Sequence, residues 1–262
     1  VLRREGAAFS SRFRVTDRQV LYRSPIMLTP YVSGTLIDTD NIREFVRKSY
    51  EEAGFTPETV DTGAVVITGE ALKKENARPI SEIFAKESGK FICASAGPNH
   101  EALLAAHGCG AVALSKDESV TVLNIDVGGG TTKLSLIRNG VVTSTAAVTV
   151  GARLIAFDEE NRITRLEEPA LDLLNEIGRI LAVGRAISES VKEDFAARMS
   201  EILALVIRNA PLTGIAERFL LTDPLEDYQD PSEVDYVVFS GGVSEYIYDH
   251  DAASDGDLGP QF

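Results

Sequence analysis

Asp126-Val127-Gly128-Gly129-Gly130-Thr131-Thr132-Lys133 is the stretch of sequence that decides the fold. The glycines at 128, 129 and 130 carry no Cβ, so their backbone amides can turn inward and approach an anion closely. Asp126 stands where the preceding strand ends and can hold a hydrated Mg²⁺ or orient a water molecule, while the hydroxyls of Thr131 and Thr132 can reach phosphate oxygens. We therefore predict a phosphate-binding turn with Asp126 as its catalytic and metal-binding residue.

The sequence on both sides of this turn excludes two other glycine motifs. An apolar strand over residues 120–127 precedes it, and the strands that follow are predicted to form a hairpin around Asn139-Gly140, because type I′ turns need positive φ at both central residues. A dinucleotide fingerprint and a P-loop both require a helix after their glycines. A flexible turn without a ligand stays open as the alternative, although an Asp, three glycines and two threonines exceed what a turn requires.

A second glycine element follows the last predicted strand, residues 234–239, with the sequence Ser240-Gly241-Gly242-Val243-Ser244. By itself a glycine pair after a strand is common, and an ordinary turn would account for it. Two glycine-rich strand ends in one α/β chain favour a shared nucleotide. With the first motif present, we predict that Gly241 and Gly242 bind the same ligand.

Apolar periodicity predicts alternating strands and helices in the first half, which indicates an α/β fold. One helix places Ile42, Phe45 and Tyr50 on a single face, with Asn41 as its cap and Gly54 as its stop. The other predicted elements are strands 12–15 and 19–22, strand 64–67 covered on both faces, helix 70–86 kinked at Pro79, strand 91–94, and helices 99–107, 169–180 and 190–208.

Composition narrows the classes of function. The chain has 262 residues, with 26 basic and 40 acidic side chains, and its net charge of -14 would repel phosphate backbones, so we expect no nucleic-acid partner. The longest uncharged stretch, residues 139–152, contains polar residues, so we also expect no membrane span. Two cysteines and no signal-like segment indicate a reducing cytoplasm. The acidic C-terminal region is interpreted as solvated surface, with a docking surface for a basic partner as the alternative.

A segment of small residues indicates where two lobes join. Residues 94–111 are predicted to form a strand end, a turn, a helix of small residues and an exit with Gly108 and Gly110. This pattern is typical of a hinge or a crossing point, and close packing alone is the alternative. We predict that residues 1–118 belong to a first lobe and residues 119–262 to a second lobe, which carries both glycine motifs.

These motifs carry a family resemblance. The order of a small-residue crossing helix, an Asp-Val-Gly-Gly-Gly-Thr hairpin and a later Ser-Gly-Gly resembles the ATPase superfamily of actin, heat-shock chaperones and sugar kinases. Within that group, residues 65–78 (VVITGEALKKENAR) and 122–131 (VLNIDVGGGT) closely resemble the ethanolamine ammonia-lyase reactivating factors. The similarity extends over about residues 13–248. It implies an α/β chain with a two-lobed, actin-like ATPase fold of the ribonuclease-H type.

The resemblance also implies a chaperone-like function. Such a factor would use ATP and Mg²⁺ to release damaged cobalamin from ethanolamine ammonia-lyase, so that intact adenosylcobalamin can enter. Asp126 would serve Mg²⁺ and the attacking water, residues 128–131 would cradle the β and γ phosphates, and Gly241 and Gly242 would lie against the α phosphate and the nucleoside. We expect ATPase activity in the full-length protein. The resemblance further implies that the cytoplasmic protein would be associated with a bacterial microcompartment.

Two departures from the superfamily pattern are visible. Such ATPases carry an early strand and turn with Asp-x-Gly-Thr, and residues 1–22 contain none. We therefore expect a fragment that lacks the first phosphate-binding hairpin. Heat-shock relatives place a Glu before the Pro of the crossing helix, where this chain has Gly97.

Other residues carry weaker signals, and other functions stay open. Glu70 matches the family and could face the cleft, or it could simply suit a helix dipole. His100, His107 and Cys109 suggest a metal site but lack an obvious fourth ligand. One alternative function is a small-molecule kinase of the same superfamily, which needs a carboxylate base for a substrate hydroxyl. The other is a scaffold that keeps the fold but has lost turnover.

Overall fold

The computed structural model describes residues 2–4, 13–15, 19–25, 27, 29–33, 36–67, 91–248 and 256–262. Within these ranges, no helix combines the length and the apolar character needed to cross a membrane. The chain divides into two compact units, the first reaching Ala94 and the second taking Ser95–Phe262. The predicted lobe boundary between residues 118 and 119 stays a prediction. The predicted helix 70–86 lies outside the described residues, as does Glu70.

Short paired strands and one long helix make up the described part of the first unit. The elements are β1 (Leu2–Arg4), β2 (Phe13–Val15), β3 (Tyr31–Ser33), β4 (Leu36–Ile37), α1 (Thr39–Ala53), β5 (Gly63–Ile67) and β6 (Phe91–Ser95). The predicted strand 19–22 is wrong, because residues 19–25 form no regular element and β2 takes its backbone partners from β1. β5 pairs with β6, but Val66 is 45% exposed, so the expected cover on both faces of β5 is not found.

Helix α1 confirms the predicted amphipathic helix but begins with a different cap. The carboxylate of Asp38 accepts a hydrogen bond from the backbone N–H of Asn41 at 3.1 Å, so Asp38 and not Asn41 caps the helix. Gly54 ends it in the left-handed conformation, with φ of 69°. The predicted stop is therefore confirmed.

A mixed four-stranded sheet is the centre of the second unit. The helices and strands of this unit are α2 (Pro98–Gly108), α3 (Ala111–Glu118), β7 (Thr121–Val127), β8 (Thr132–Arg138), β9 (Val141–Val148), β10 (Ile155–Phe157), β11 (Ile163–Leu166), α4 (Glu168–Glu176), α5 (Glu189–Ile207), α6 (Ile215–Phe219), β12 (Tyr236–Ser240) and α7 (Ser244–Tyr248). The strand order is β12-β7-β8-β9, with β12 parallel to β7 and the other neighbours antiparallel. The predicted α/β layering is confirmed, and the actin-like ATPase type stays a prediction.

The hairpin and the helices of this unit follow the sequence closely. Asn139 and Gly140 turn the β8–β9 hairpin with φ of 50° and 78°, as predicted for a type I′ turn. Helices α2 and α5 confirm the predicted helices 99–107 and 190–208. Helix α4 ends at Glu176, before the predicted end at residue 180, and Gly178 follows with φ of 70°.

Helices cover both faces of the sheet. On one face the large buried side chains of β7 and β8 pack against Phe195 and Met199 of α5. On the other face Ala106 of α2 and Ala111 of α3 pack against Val122 and neighbouring strand residues. Because both faces are buried, polar groups can contact a ligand at the end of the sheet where the parallel strands β7 and β12 finish.

Candidate functional site

The turn between β7 and β8 places several backbone amides at the end of the sheet where β7 and β12 finish. The N–H of Gly128 donates to the Thr131 carbonyl at 3.1 Å, which closes the turn and leaves Gly129 and Gly130 at its tip. In the part of the chain that the structure describes, the N–H groups of Gly129, Gly130 and Thr131 donate to no protein acceptor. Successive unpaired amides in a turn form a concavity that suits an anion. The predicted phosphate residues are thus adjacent in space, with donors available.

A glycine that no motif revealed supports this turn from the side of β9. The backbone N–H groups of Ala152 and Arg153 donate to the carbonyls of Gly128 and Gly129, at 3.2 and 2.6 Å. A Cβ on Gly151 would lie 2.5 Å from the Gly129 oxygen and 2.7 Å from the Gly128 oxygen. Only glycine fits such an approach of backbone to backbone. The sequence signal was a lone glycine shortly after a strand, which is too common to single out.

The second glycine element touches the first from the side of β12. The N–H of Val243 donates to the Val127 carbonyl at 3.3 Å. Gly241 has φ of 85°, and a Cβ there would lie 2.3 Å from the same Val127 oxygen. No atom of the described ranges lies within 4 Å of the Cβ position of Gly242. The two glycine elements are therefore neighbours through their backbones, as a shared ligand requires.

Asp126 is partly buried at the end of β7, beside β12. Ser240 is its register partner in the parallel pair, and the Ser240 hydroxyl lies 3.1 Å from Asp126 Oδ1. The same hydroxyl lies 3.2 Å from Oδ1 of Asn124, which is fully buried. Sequence reasoning gave Asn124 no role and named Ser240 only as part of the second glycine element, because their proximity to Asp126 depends on the register of two distant strands.

The two threonines of the motif have different surroundings. Thr131 is partly exposed at the turn. Thr132 is buried, and its hydroxyl donates to the Val150 carbonyl at 2.8 Å. This bond gives the Thr132 side chain a place in the core, and its assignment as a phosphate ligand stays a prediction.

A buried ion pair lies next to Asp126 on the same face of the sheet. Lys133 Nζ is 2.5 Å from Glu101 Oε2, and the two side chains are 10% and 9% exposed. Lys133 is the register partner of Asp126 across the β7–β8 pair, and partners of this kind share a face. The orientation of Lys133, which the sequence left open, is therefore toward helix α2.

The other candidate residues do not assemble into a site. Among the described residues, no group of three or more His, Cys, Asp or Glu could hold a metal ion. His100 and His107 are exposed on α2. Cys109 follows that helix, and its Sγ lies 3.3 Å from Asn124 Oδ1.

The donors at this edge fit a nucleotide phosphate with a divalent cation. The tip amides can donate hydrogen bonds to phosphate oxygens, and at Gly130 no described atom lies within 4 Å of the Cβ position, which leaves room for a close approach. The Asp126 carboxylate is an oxygen ligand of the kind that Mg²⁺ prefers. These residues could therefore hold ATP and Mg²⁺.

Comparison with known proteins places the chain in a family. It matches the family described as "Ethanolamine utilisation protein EutA" over residues 2–261. The chain belongs to the EutA family. It is 34% identical over 236 residues to the ethanolamine ammonia-lyase reactivase EutA of Salmonella typhimurium, which covers 89% of this chain and 49% of that protein. The corresponding Escherichia coli protein is 32% identical over 252 residues, covering 95% and 53%.

The resemblance to the reactivating factors is thereby confirmed, and the EutA-family chain spans about half the length of these curated relatives. A solved structure that it resembles is the Ppx/GppA phosphatase of Aquifex aeolicus, with 14% identity and a TM-score of 0.43 over 82% of this chain and 56% of that one. That similarity is too low to bear on function.

Proposed function

We propose that the complete EutA-family polypeptide is an ATP-dependent reactivating factor that releases damaged cobalamin from ethanolamine ammonia-lyase, so that intact adenosylcobalamin can bind. The names of both relatives support a reactivating role. The part played by ATP depends on one observation: beside Asp126, the amides of Gly129, Gly130 and Thr131 donate to no acceptor among the described residues.

Bound MgATP would supply the phosphoryl group whose hydrolysis drives the cycle. The tip amides would donate to phosphate oxygens and stabilise negative charge where it develops. Asp126 would bind Mg²⁺ through a carboxylate oxygen and orient a water molecule by accepting a hydrogen bond from it. Phosphate binding and charge stabilisation both need donors that are held in place before the ligand binds. Contacts of Gly128 and Gly129 with residues 151–153 hold the turn that carries these donors.

The β12 turn would contact the remainder of the nucleotide. Gly241 is fixed against the Val127 carbonyl, while Gly242 has open space beside its Cα. An α phosphate and a nucleoside could therefore approach the backbone at Gly242 without meeting a side chain. The nucleotide state would then bias a mechanical change in the complete protein, because a ligand shifts a conformational equilibrium by its difference in affinity for the two states.

The test is restoration of activity to inactivated ethanolamine ammonia-lyase. The inactivated lyase is incubated with the complete polypeptide, ATP, Mg²⁺ and adenosylcobalamin, and its deaminase activity is then measured. We expect the wild-type protein to restore activity and Asp126→Ala to lose at least roughly 100-fold in reactivation rate, as is common when a charge-stabilising group is removed. Asp172→Ala is the matched control, because Asp172 is an exposed aspartate on α4.

Three results would contradict parts of the proposal. Failure of the wild-type protein to restore activity would falsify the reactivating role. Full reactivation by Asp126→Ala would favour the scaffold alternative and remove ATP hydrolysis from the mechanism. Transfer of the γ phosphate to a hydroxyl compound would favour the kinase.

A further inference from the structure

Beside Asp126 lies a buried side-chain amide whose hydrogen atoms find no acceptor among the described residues. Asn124 is fully buried, and within the described ranges its Nδ2 has no hydrogen-bond partner. Its Oδ1, by contrast, lies 3.2 Å from Ser240 Oγ and 3.3 Å from Cys109 Sγ. A hydroxyl has one proton. Ser240 therefore cannot donate to Asn124 Oδ1 and to Asp126 Oδ1, 3.1 Å away, at the same time.

Rotating the Asn124 carboxamide by half a turn removes both difficulties, because it exchanges the oxygen and the nitrogen. The amide then donates one hydrogen to Ser240 Oγ and directs the other toward Cys109 Sγ. The amide oxygen moves to the position without a partner, and a buried carbonyl without a donor is tolerated more often than an orphaned N–H. The Ser240 proton is then free to bond to Asp126 alone.

We propose that Ser240 is a positioning residue, whose hydroxyl is held by Asn124 and donates to the Asp126 carboxylate, fixing its orientation toward Mg²⁺. The inference rests on the proposed function, because it concerns the task given to Asp126. The parallel register of β12 and β7 sets Ser240 beside Asp126, so backbone pairing alone brings the hydroxyl into reach. Hydrogen bonds to an ionised acceptor are stronger than neutral ones, which makes this contact able to fix a carboxylate.

The test separates binding of Mg²⁺ from binding of nucleotide. ADP is titrated calorimetrically into the complete polypeptide, once with EDTA and once with Mg²⁺. We expect Mg²⁺ to raise the ADP affinity of the wild type, and this gain to fall about tenfold in Ser240→Ala, because a charge-assisted hydrogen bond is lost. Ser240→Thr keeps the hydroxyl and should restore the gain to within about twofold. In EDTA both variants should bind ADP like the wild type. If Ser240 had only a structural role, Ser240→Ala would instead lower the ADP affinity equally with EDTA and with Mg²⁺.

Each outcome decides something. An undiminished Mg²⁺ gain in Ser240→Ala, or failure of Ser240→Thr to restore it, would overturn the inference while leaving the proposed function intact. Absence of ADP binding by the wild type in both conditions would reject the proposed function, and the inference with it. If Ser240→Ala melts more than about 5 °C below the wild type, Ser240→Cys replaces it, since a thiol is a weak donor of similar size and the same direction of loss is expected.

Discussion

Replacing Gly241 by alanine should destabilise the second unit, whereas the same change at the next residue should not. A Cβ at Gly241 would lie 2.3 Å from the oxygen, 2.8 Å from the carbon and 3.0 Å from the nitrogen of Val127. All three atoms belong to the backbone at the end of β7, a strand paired on both sides, so they cannot move aside as a flexible side chain would. At Gly242 the added methyl group meets no atom of the described part of the chain within 4 Å, which makes Gly242→Ala a matched control.

The size of the effect follows from two contributions. Gly241 has φ of 85°, a region that costs a non-glycine residue about 1–2 kcal/mol. Forcing a methyl group into a packed backbone contact costs roughly 1–3 kcal/mol more. We therefore expect Gly241→Ala to lower the free energy of unfolding by about 3 kcal/mol, which corresponds to a fall in Tm of roughly 6–12 °C for a unit of this size.

Thermal unfolding followed by circular dichroism measures this effect, and ADP titration measures its consequence for binding. Gly242→Ala should stay within about 0.5 kcal/mol of the wild type in stability. It should nevertheless bind ADP about tenfold more weakly if the nucleotide approaches the backbone there, because a methyl group would stand in its place. A Tm of Gly241→Ala within about 2 °C of the wild type would refute the close contact between the two glycine elements.

Three further predictions concern the turn and the buried polar groups. Gly151→Ala should lower the free energy of unfolding by about 2–3 kcal/mol and weaken ADP binding, because its Cβ would lie 2.5 Å from the Gly129 oxygen. Denaturant unfolding measures the loss. Gly130→Ala is the control for stability, because its Cβ would meet no described atom within 4 Å. Burial raises the pKa of Tyr228 from 10.0 to about 12. The contribution of its neutral phenol to the free energy of unfolding is therefore fully present below pH 10 and is lost as the pH rises toward 12. Urea unfolding from pH 8 to 12 should show a loss of about 1–2 kcal/mol that is absent in Tyr228→Phe. Lys133→Met should cost about 3–5 kcal/mol by removing the ion-pair partner of the buried Glu101 carboxylate, and adding Glu101→Leu should recover most of it. A double variant no more stable than Lys133→Met would contradict that account.

Features that depend on a few neighbouring residues were predictable from the sequence. The Asn139-Gly140 turn and the glycine turn after β7 were found at the predicted positions, because local φ requirements determine them. The stop of α1 at Gly54 follows the same logic. The cap of α1 was misplaced because Asp38 and Asn41 both have the right chemistry, and spacing alone does not decide between them.

Features that depend on register between distant strands were not predictable in the same way. Ser240 and Asp126 are 114 residues apart in sequence, and only the parallel pairing of β12 with β7 brings them together. Likewise, Gly151 contacts the glycine turn only because the chain after β9 passes against the carbonyls of Gly128 and Gly129. The strand expected at residues 19–22 failed for a related reason, because β2 had a competing partner in β1.

The bracing of the glycine turn by Gly151 and Gly241 bears on how fast and how tightly a ligand would be taken up. Because backbone contacts hold this turn on both sides, it would lose little conformational entropy when a ligand binds. More of the interaction energy would then be expressed as affinity. Association would also need no prior ordering of the turn. If ligand uptake were slow, the delay would have to come from motions other than the ordering of this turn.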